Sequence, residues 1–346
     1  MNRVFVSRRI PAAGVALLEG AGVEVRVGQE REDEGVAPAV MLEGVRWCDV
    51  LLSLLTEPVD RALLGANPAL RGVANCAVGF NNIDVTGATA LGIPVSNTPD
   101  VLTDTTADLT WALLLAAARR IPEAQAYMKG GRYKLWGPNL LLGADVSPGG
   151  SGRKKVLGIV GFGRIGAAVA RRAAGFDMDV IAHDPNARSR IDASGIARWA
   201  ELGDLLERSD FVTLHPLLTR ETHHLINERA LRRMKPTAYL VNVSRGPVVD
   251  EAALVRALRE GWIAGAALDV YEHEPAMADG LRECENAVLV PHIASASADT
   301  RDRMATMAAE NALAHLAGTH APNVVNPEVY ASDAWRARIA RPGSGR

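Results

Sequence analysis

Gly161-Phe162-Gly163-Arg164-Ile165-Gly166 is a G-x-G-x-x-G pattern, and its surroundings decide the fold. Ahead of it, Val156-Leu157-Gly158-Ile159-Val160 is a short apolar run of strand character. Behind it, Ile165, Val169 and the alanines Ala167, Ala168, Ala170, Ala173 and Ala174 make a helix. Glycines so spaced between strand and helix form a dinucleotide fingerprint. The first allows the tight turn, the second lets backbone approach a pyrophosphate, and the third lets the helix pack on the strand. The pyrophosphate then rests on the helix N-terminus, where N–H groups and the dipole favour an anion. A chain that opened on such a domain would carry the pattern near its N-terminus, whereas here 160 residues come first.

The 346 residues are long for one core and predict two domains. A hydrophobic share of 48% with 23% charged residues is that of a soluble globular protein, and the net charge of −2 argues for neither a nucleic acid nor a membrane partner. Cys48, Cys76 and Cys284 are far apart and odd in number, without CxxC or Cys/His metal spacing. They read as reduced core thiols, and no metal site is expected. Arg8 and Arg9 interrupt any signal-peptide segment, and the apolar stretch Trp111 to Ala118 is too short to span a bilayer, so a cytoplasmic location is expected.

Residues 1–100 alternate strand-like runs (Val4-Phe5-Val6, Val23 to Val27, Val50-Leu51-Leu52, Val73-Ala74) with amphipathic segments, which predicts a parallel sheet covered by helices. Thr103 to Arg120 is a long helical run with Asp104 and Asp108 near its start. Residues 121–155 are less regular, with a flexible loop at Ser147–Gly152. A second alternating unit runs from Val156 to about His292, and Asp299 to Ala317 is again helical. The expected organisation is a Rossmann doubly wound parallel sheet, residues 101–293, inserted into a flavodoxin-like α/β substrate domain built from 1–100 and 294–330. The two long helical runs would be the crossing elements, and 331–346, rich in Arg, Ala, Pro and Gly, reads as a disordered tail.

After the next strand, Val180-Ile181-Ala182, Asp184 follows Gly166 by 18 residues. An acidic residue there accepts bonds from the adenosine ribose and repels a 2′-phosphate, which favours NAD over NADP. The same Asp184 also suits a simple Asp-Pro turn, and Arg188 and Arg190 just beyond would instead meet a phosphate. Three later strands end in polar residues: Ala238 to Val243 at Ser244-Arg245-Gly246, Ala264 to Leu268 at Asp269 with Glu272, His273 and Glu274 beyond, and Ala287 to Val290 at Pro291-His292. Ligands of open parallel sheets bind outside these carboxyl ends. Arg245 would fork a substrate carboxylate and polarise the adjacent carbonyl. His292 is the candidate general acid, and Glu274 would hold its imidazolium. Taken alone, each of the three has a duller reading as a surface or loop residue; their joint placement is what singles them out. His215, also at a strand end, and the pair His223-His224 lack such company and read as structural, although His215 is positioned to border the cofactor.

Val241-Asn242-Val243-Ser244-Arg245-Gly246, Ala267 to Pro275 and Pro291-His292-Ile293 together resemble the signature of the D-isomer-specific 2-hydroxyacid dehydrogenases. Val101 to Asp108 and Gly261 to Ala266 resemble the glyoxylate/hydroxypyruvate reductases within that family, and the similarity covers about residues 3–328. The resemblance implies that Arg245 binds substrate, that His292 and Glu274 form an acid/base dyad, and that Asp269 faces the nicotinamide carboxamide. It implies that Val78-Gly79 holds the substrate carboxylate with Leu54 nearby, and that Thr106 contacts the cofactor. The cofactor set is then residues 161–166 with Thr106, Asp184, His215, Val243, Ser244, Asp269 and His292. It further implies a homodimer joined through the nucleotide domains, with Gly130 to Leu142, including Trp136, as an arm toward the partner's site. Two departures stand out: the proline of His215-Pro216-Leu217-Leu218-Thr219 is shifted by one position, and Ser147–Gly152 is a small insertion.

The expected activity is NADH-dependent reduction of a small 2-keto acid such as glyoxylate or hydroxypyruvate. Phosphoglycerate, formate and phosphite dehydrogenases share the fold. Formate enzymes of this type carry glutamine at the Glu274 position. A non-enzymatic NAD-sensing corepressor also shares it, but such proteins bind peptide motifs and this chain shows no partner-binding extension.

Overall fold

The structure, a computed structural model, describes residues 1–341. In chain order, a first segment contains β1 (Arg3–Val6), α1 (Ala12–Gly20), β2 (Glu24–Val27), α2 (Pro38–Trp47), β3 (Val50–Ser53), α3 (Arg61–Gly65), β4 (Gly72–Asn75), α4 (Val85–Ala90) and β5 (Val95–Ser96). The middle contains α5 (Thr103–Ala118), α6 (Ile121–Lys129), β6 (Val156–Val160), α7 (Arg164–Ala173), β7 (Asp179–His183), α8 (Arg188–Ala193), β8 (Arg198–Trp199), α9 (Leu202–Arg208), β9 (Phe211–Leu214), α10 (Glu228–Leu231), β10 (Tyr239–Asn242), α11 (Glu251–Arg259), β11 (Gly265–Leu268) and β12 (Ala287–Leu289). The chain closes with α12 (Ala298–Ala317) and α13 (Asp333–Ile339). It divides into two compact units, Met1–Leu102 with Ala296–Arg346, and Thr103–Ser295.

The first unit holds a five-stranded parallel sheet in the order β2-β1-β3-β4-β5. Successive side chains of a strand face opposite ways. Accordingly Val4, Val6, Val50 and Leu52 join Leu18, Met304, Ala308 and Ala312 in one core, while Phe5, Leu51 and Val73 join Met41, Val45 and Leu64 in the other. The second unit holds a seven-stranded parallel sheet, β12-β11-β10-β9-β6-β7-β8. The strand reversal at β6 and β9 is the switch point of a doubly wound nucleotide fold. Leu157 and Ile159 pack with Ala107, Leu114 and Val169 on one face; Leu240, Ala266 and Leu268 pack with Leu254 and Leu258 on the other. Both sheets have the strand orders of the expected fold class.

Two local expectations need correction, and two short strands carried no sequence signal. Residues 121–129, read as irregular, form α6, with Pro122 and Glu123 in its first turn and Lys129 in its last, the polarity a helix dipole favours. The two-residue strands β5 and β8 are too short to show a period in the sequence. Residues 333–339, read as part of a disordered tail, form α13. Ser332 Oγ accepts the Trp335 N–H at 3.1 Å, and the buried Arg338 guanidinium donates to the carbonyls of Leu91, Asn67, Pro68 and Leu70 at 2.9–3.3 Å. Residues 342–346 of that expected tail lie outside the described residues.

Candidate active site

The fingerprint occupies the β6–α7 turn. Gly161 adopts φ +88°, a left-handed conformation open to glycine, and a Cβ there would fall 2.6–2.8 Å from the backbone of His215 and Pro216. The shifted proline therefore lies directly against the glycine turn. A Cβ on Gly166 would strike the Gly161 carbonyl at 2.2 Å, whereas one on Gly163 would meet nothing within 4 Å. The turn is thus tight on the protein side and open where a phosphate would approach. Gly163 caps α7 with no side-chain acceptor, which leaves that end to an anion. Asp184 lies one residue past β7; its carboxylate accepts N–H bonds from Phe162 and Asn186, both 3.0 Å, with the Arg190 guanidinium 3.9 Å away. These residues fit a dinucleotide.

The three strand ends converge as expected. After β10, Asn242 Oδ1 accepts bonds from Ser244 N (3.0 Å) and Ser244 Oγ (2.8 Å), and its Nδ2 donates to the Arg245 carbonyl at 3.0 Å. This clamp sets the backbone from which Arg245 projects. Burial pulls the Arg245 guanidinium below its ordinary pKa, and Glu274 acts in the opposite direction. The guanidinium remains a cation.

His292 Nδ1 lies 2.9 Å from Glu274 Oε2. A carboxylate only accepts, so Nδ1 carries the proton and Nε2 is the exchanging nitrogen. Glu274 Oε1 accepts the Tyr271 N–H at 3.0 Å. Burial pushes this carboxyl up, but His292, the Tyr271 N–H and Arg245 outweigh it and hold the pKa below the ordinary glutamate value. His292 itself has φ +53°, rare for a residue with a Cβ. Asp269 maintains that conformation: its carbonyl accepts the His292 N–H at 2.8 Å, and its carboxylate accepts those of Ile293 (2.6 Å) and Ala294 (2.9 Å). Asp269 is fully buried, and desolvation leads in raising its pKa against these bonds and His292. The sequence reading missed this clamp, although Asp at the end of a buried strand was its signal.

Other expected residues take mixed places. Thr106 is buried on α5 with Oγ1 3.4 Å from the Ala294 carbonyl, so it borders the His292 loop. Val243 is buried and Ser244 partly so. The His215 N–H donates to the Val160 carbonyl at 2.7 Å; its Nε2 has no partner among the described residues, and burial pushes its pKa down to about 3, so the ring is neutral. The expectation that His223-His224 lacks company is wrong: His224 Nε2 lies 2.7 Å from Glu272 Oε1. A contact across 48 residues has no local sequence signal.

In the first unit, Ala77, Val78 and Gly79 have their carbonyls held by Thr98 N (3.0 Å), Asn97 Nδ2 (2.8 Å) and Asn75 Nδ2 (2.8 Å). A trans peptide points its N–H opposite its carbonyl. The N–H groups of Val78, Gly79 and Phe80 are therefore turned away from those partners, an arrangement suited to an anion. Leu54 N donates to Glu57 Oε2 at 2.8 Å, and its carbonyl accepts from Asn82 at 2.9 Å.

Comparisons with known proteins show the family. Residues 111–294 match the family model described as D-isomer specific 2-hydroxyacid dehydrogenase, NAD binding domain. The chain is similar to a glyoxylate reductase of Korarchaeum cryptofilum, 52% identical over 329 residues, covering 94% of this chain and 96% of that protein. Among solved structures it resembles a glyoxylate reductase from Paecilomyes thermophila (30% identity, TM-score 0.81, 94% of this chain and 98% of that one). It also resembles an NADPH-dependent glyoxylate/hydroxypyruvate reductase from Sinorhizobium meliloti in complex with NADP and malonate (32% identity, TM-score 0.77, 94% and 96%).

Proposed function

The chain belongs to the D-isomer specific 2-hydroxyacid dehydrogenases, and from that premise we propose that it reduces glyoxylate, and hydroxypyruvate as a second substrate of the same class, with NADH. It is an NAD-binding oxidoreductase acting on the CH–OH group of a 2-hydroxy acid or the carbonyl of the corresponding keto acid. The observation that carries the reading is the His292–Glu274 pair at 2.9 Å, formed at the carboxyl ends of the strands that also present Arg245.

The turn at residues 161–166 would hold the cofactor's pyrophosphate and Asp184 its adenosine ribose; the bound cofactor supplies the hydride. Arg245 binds the keto acid by its carboxylate and draws electron density from the adjacent carbonyl. The family resemblance implies that the Val78 and Gly79 backbone would offer N–H groups to a substrate carboxylate. As negative charge develops on the carbonyl oxygen, protonated His292 donates its Nε2 proton there and keeps the Nδ1 proton on Glu274. The ionised Glu274 stabilises the imidazolium before transfer and fixes the ring throughout. Asp269 holds the His292 loop in register.

Purified protein should oxidise NADH with glyoxylate and hydroxypyruvate, and less well with pyruvate and phenylpyruvate. No turnover of any of these keto acids by folded protein would sink the reading. His292→Ala should lower kcat about 10²–10⁴-fold; a normal rate would remove His292 from the mechanism.

We further propose a homodimer through the nucleotide-binding unit. Supporting it, Leu135, Trp136 and Leu142 are 82%, 72% and 63% exposed on the segment after α6, a grouping of large apolar side chains that a partner would cover. Light scattering should give twice the chain mass, and Trp136→Ala should raise the dissociation constant; a monomer at all concentrations would refute it. The three cysteines are buried thiols, which fits a cytoplasmic location. Among the described residues no helix is long and apolar enough to cross a membrane.

A further inference from the structure

The loop between β9 and α10 and the turn after β11 bring three metal-ligating side chains together behind the active-site strand ends. The His224 and Glu272 side chains meet at 2.7 Å, and the His223 ring stacks on His224 with centroids 4.1 Å apart. One ligand atom from each of His223, His224 and Glu272 lies within 4.8 Å of the others. We propose that these three residues form a binding site for a divalent transition metal ion, zinc in the first instance.

The donor set argues for that class of ion. Two imidazoles and one carboxylate suit Zn²⁺, Ni²⁺ or Cu²⁺, whereas Mg²⁺ and Ca²⁺ take oxygen ligands. With zinc–ligand bonds of about 2.0–2.1 Å, tetrahedral geometry separates neighbouring ligand atoms by roughly 3.3 Å. The 2.7 Å contact between His224 and Glu272 must open slightly, and the wider separations, none above 4.8 Å, must close. His223 is exposed, so its ring can leave the stack on His224 toward the ion, and water completes the shell.

Two of the ligands are already fixed. Glu272 Oε2 accepts the Glu251 N–H at 3.3 Å, and the Glu272 N–H donates to Glu251 Oε1 at 3.1 Å, so Oε1 is the oxygen presented to the histidines. His224 has φ +50°, and its N–H is tied to the Pro247 carbonyl at 2.8 Å. Pro247 and Glu272 each lie two residues from a proposed active-site residue, Arg245 and Glu274 respectively. Those two segments also pack without a gap, since a Cβ on Gly246 would fall 1.8 Å from the Tyr271 carbonyl. An ion at this position pins the 217–226 loop to the backbone that carries Arg245 and Glu274.

The test uses the full, tag-free chain, stripped with chelator and titrated with Zn²⁺ by calorimetry and with Co²⁺ by visible absorption. The expected result is one ion per chain, a cobalt spectrum of low-symmetry imidazole and oxygen ligation, and a melting temperature that zinc raises and chelator restores. His223→Gln keeps the His224–Glu272 bond; it should weaken zinc at least about tenfold and leave metal-free turnover unchanged. Glu272→Gln should weaken zinc as much. Absence of binding, or zinc affinity unchanged in His223→Gln, overturns the proposal. So does binding lost only with His292→Ala, which would place the ion on the His292–Glu274 pair.

Discussion

Asp184 stands where β7 ends, and both of its carboxylate oxygens are occupied by N–H groups, Phe162 on one and Asn186 on the other. The group that would meet the ribose therefore also ties the glycine turn to the end of the neighbouring strand. A 2′-phosphate placed here would face this fixed negative charge, and Arg190, 3.9 Å away, is already drawn toward the carboxylate and bonded to the Phe162 carbonyl at 2.7 Å. Asp184→Ser removes the charge and frees that guanidinium. The variant should gain about tenfold in kcat/KM with NADPH, equivalent to about 1.4 kcal/mol, and lose with NADH. Initial rates with both cofactors check this. A ratio of NADPH to NADH efficiency that does not move would remove Asp184 as the discriminating residue.

Among the elements, β6, β9 and β10 are joined at their starting ends by one aspartate, far along the strands from the residues assigned to chemistry. Asp210 accepts from Arg153 at 3.0 and 3.2 Å, from Lys235 at 2.9 Å and from the Val156 N–H at 2.8 Å; its carbonyl receives the Tyr239 N–H at 3.1 Å. Burial alone would raise this carboxyl, but the two cations and the amide outweigh it and bring the pKa from 3.8 to about 2. A carboxylate with a depressed folded pKa stabilises the fold above the unfolded value and loses that contribution as pH falls through the folded one. Asp210→Asn should therefore cost about 2 kcal/mol at pH 7, with a smaller gap from the parent protein near pH 3, and should leave turnover intact. Urea denaturation at both pH values measures it, and a gap independent of pH would contradict the argument. The sequence showed the long elements well, because Val156–Val160 and the later strands are continuous apolar runs with polar ends, as fully buried parallel strands require. It showed Arg245, Glu274 and His292 for the same reason. What it could not show were the supports that act across chain distance: Asp269 with Ile293 and Ala294, Glu272 with His224, and Arg338 with the carbonyls near Leu70. Each joins residues whose spacing follows no helical or strand period.

Over the whole molecule, each compact unit contains a histidine that folding keeps neutral. In the second it is His215, with its pKa pushed to about 3 by burial; in the first it is His315, 1% exposed on α12 and pushed to about 4 by burial, against a bond to Val73. His315 packs over Gly72, where a Cβ would fall 2.4 Å from its ring, and its Nε2 meets Ser96 Oγ at 3.0 Å. Buried this way, a charged ring would be stripped of its hydrating water. Below pH 6.5 the unfolded chain takes up a proton at this position and the folded chain does not, so stability falls with pH until the folded value is reached. The loss amounts to about 1.4 kcal/mol per pH unit for one such group, or about 2 kcal/mol by pH 5. This precedes the range in which Asp210 and other carboxylates titrate, so the protein should begin to weaken in mild acid. His315→Gln can still bond Ser96 and does not titrate. Its absolute stability at pH 7 will fall through lost packing, but between pH 7 and pH 5 it should lose about 2 kcal/mol less than the parent protein. Equal slopes of unfolding free energy against pH in the two proteins would show that His315 is not the acid-sensitive group.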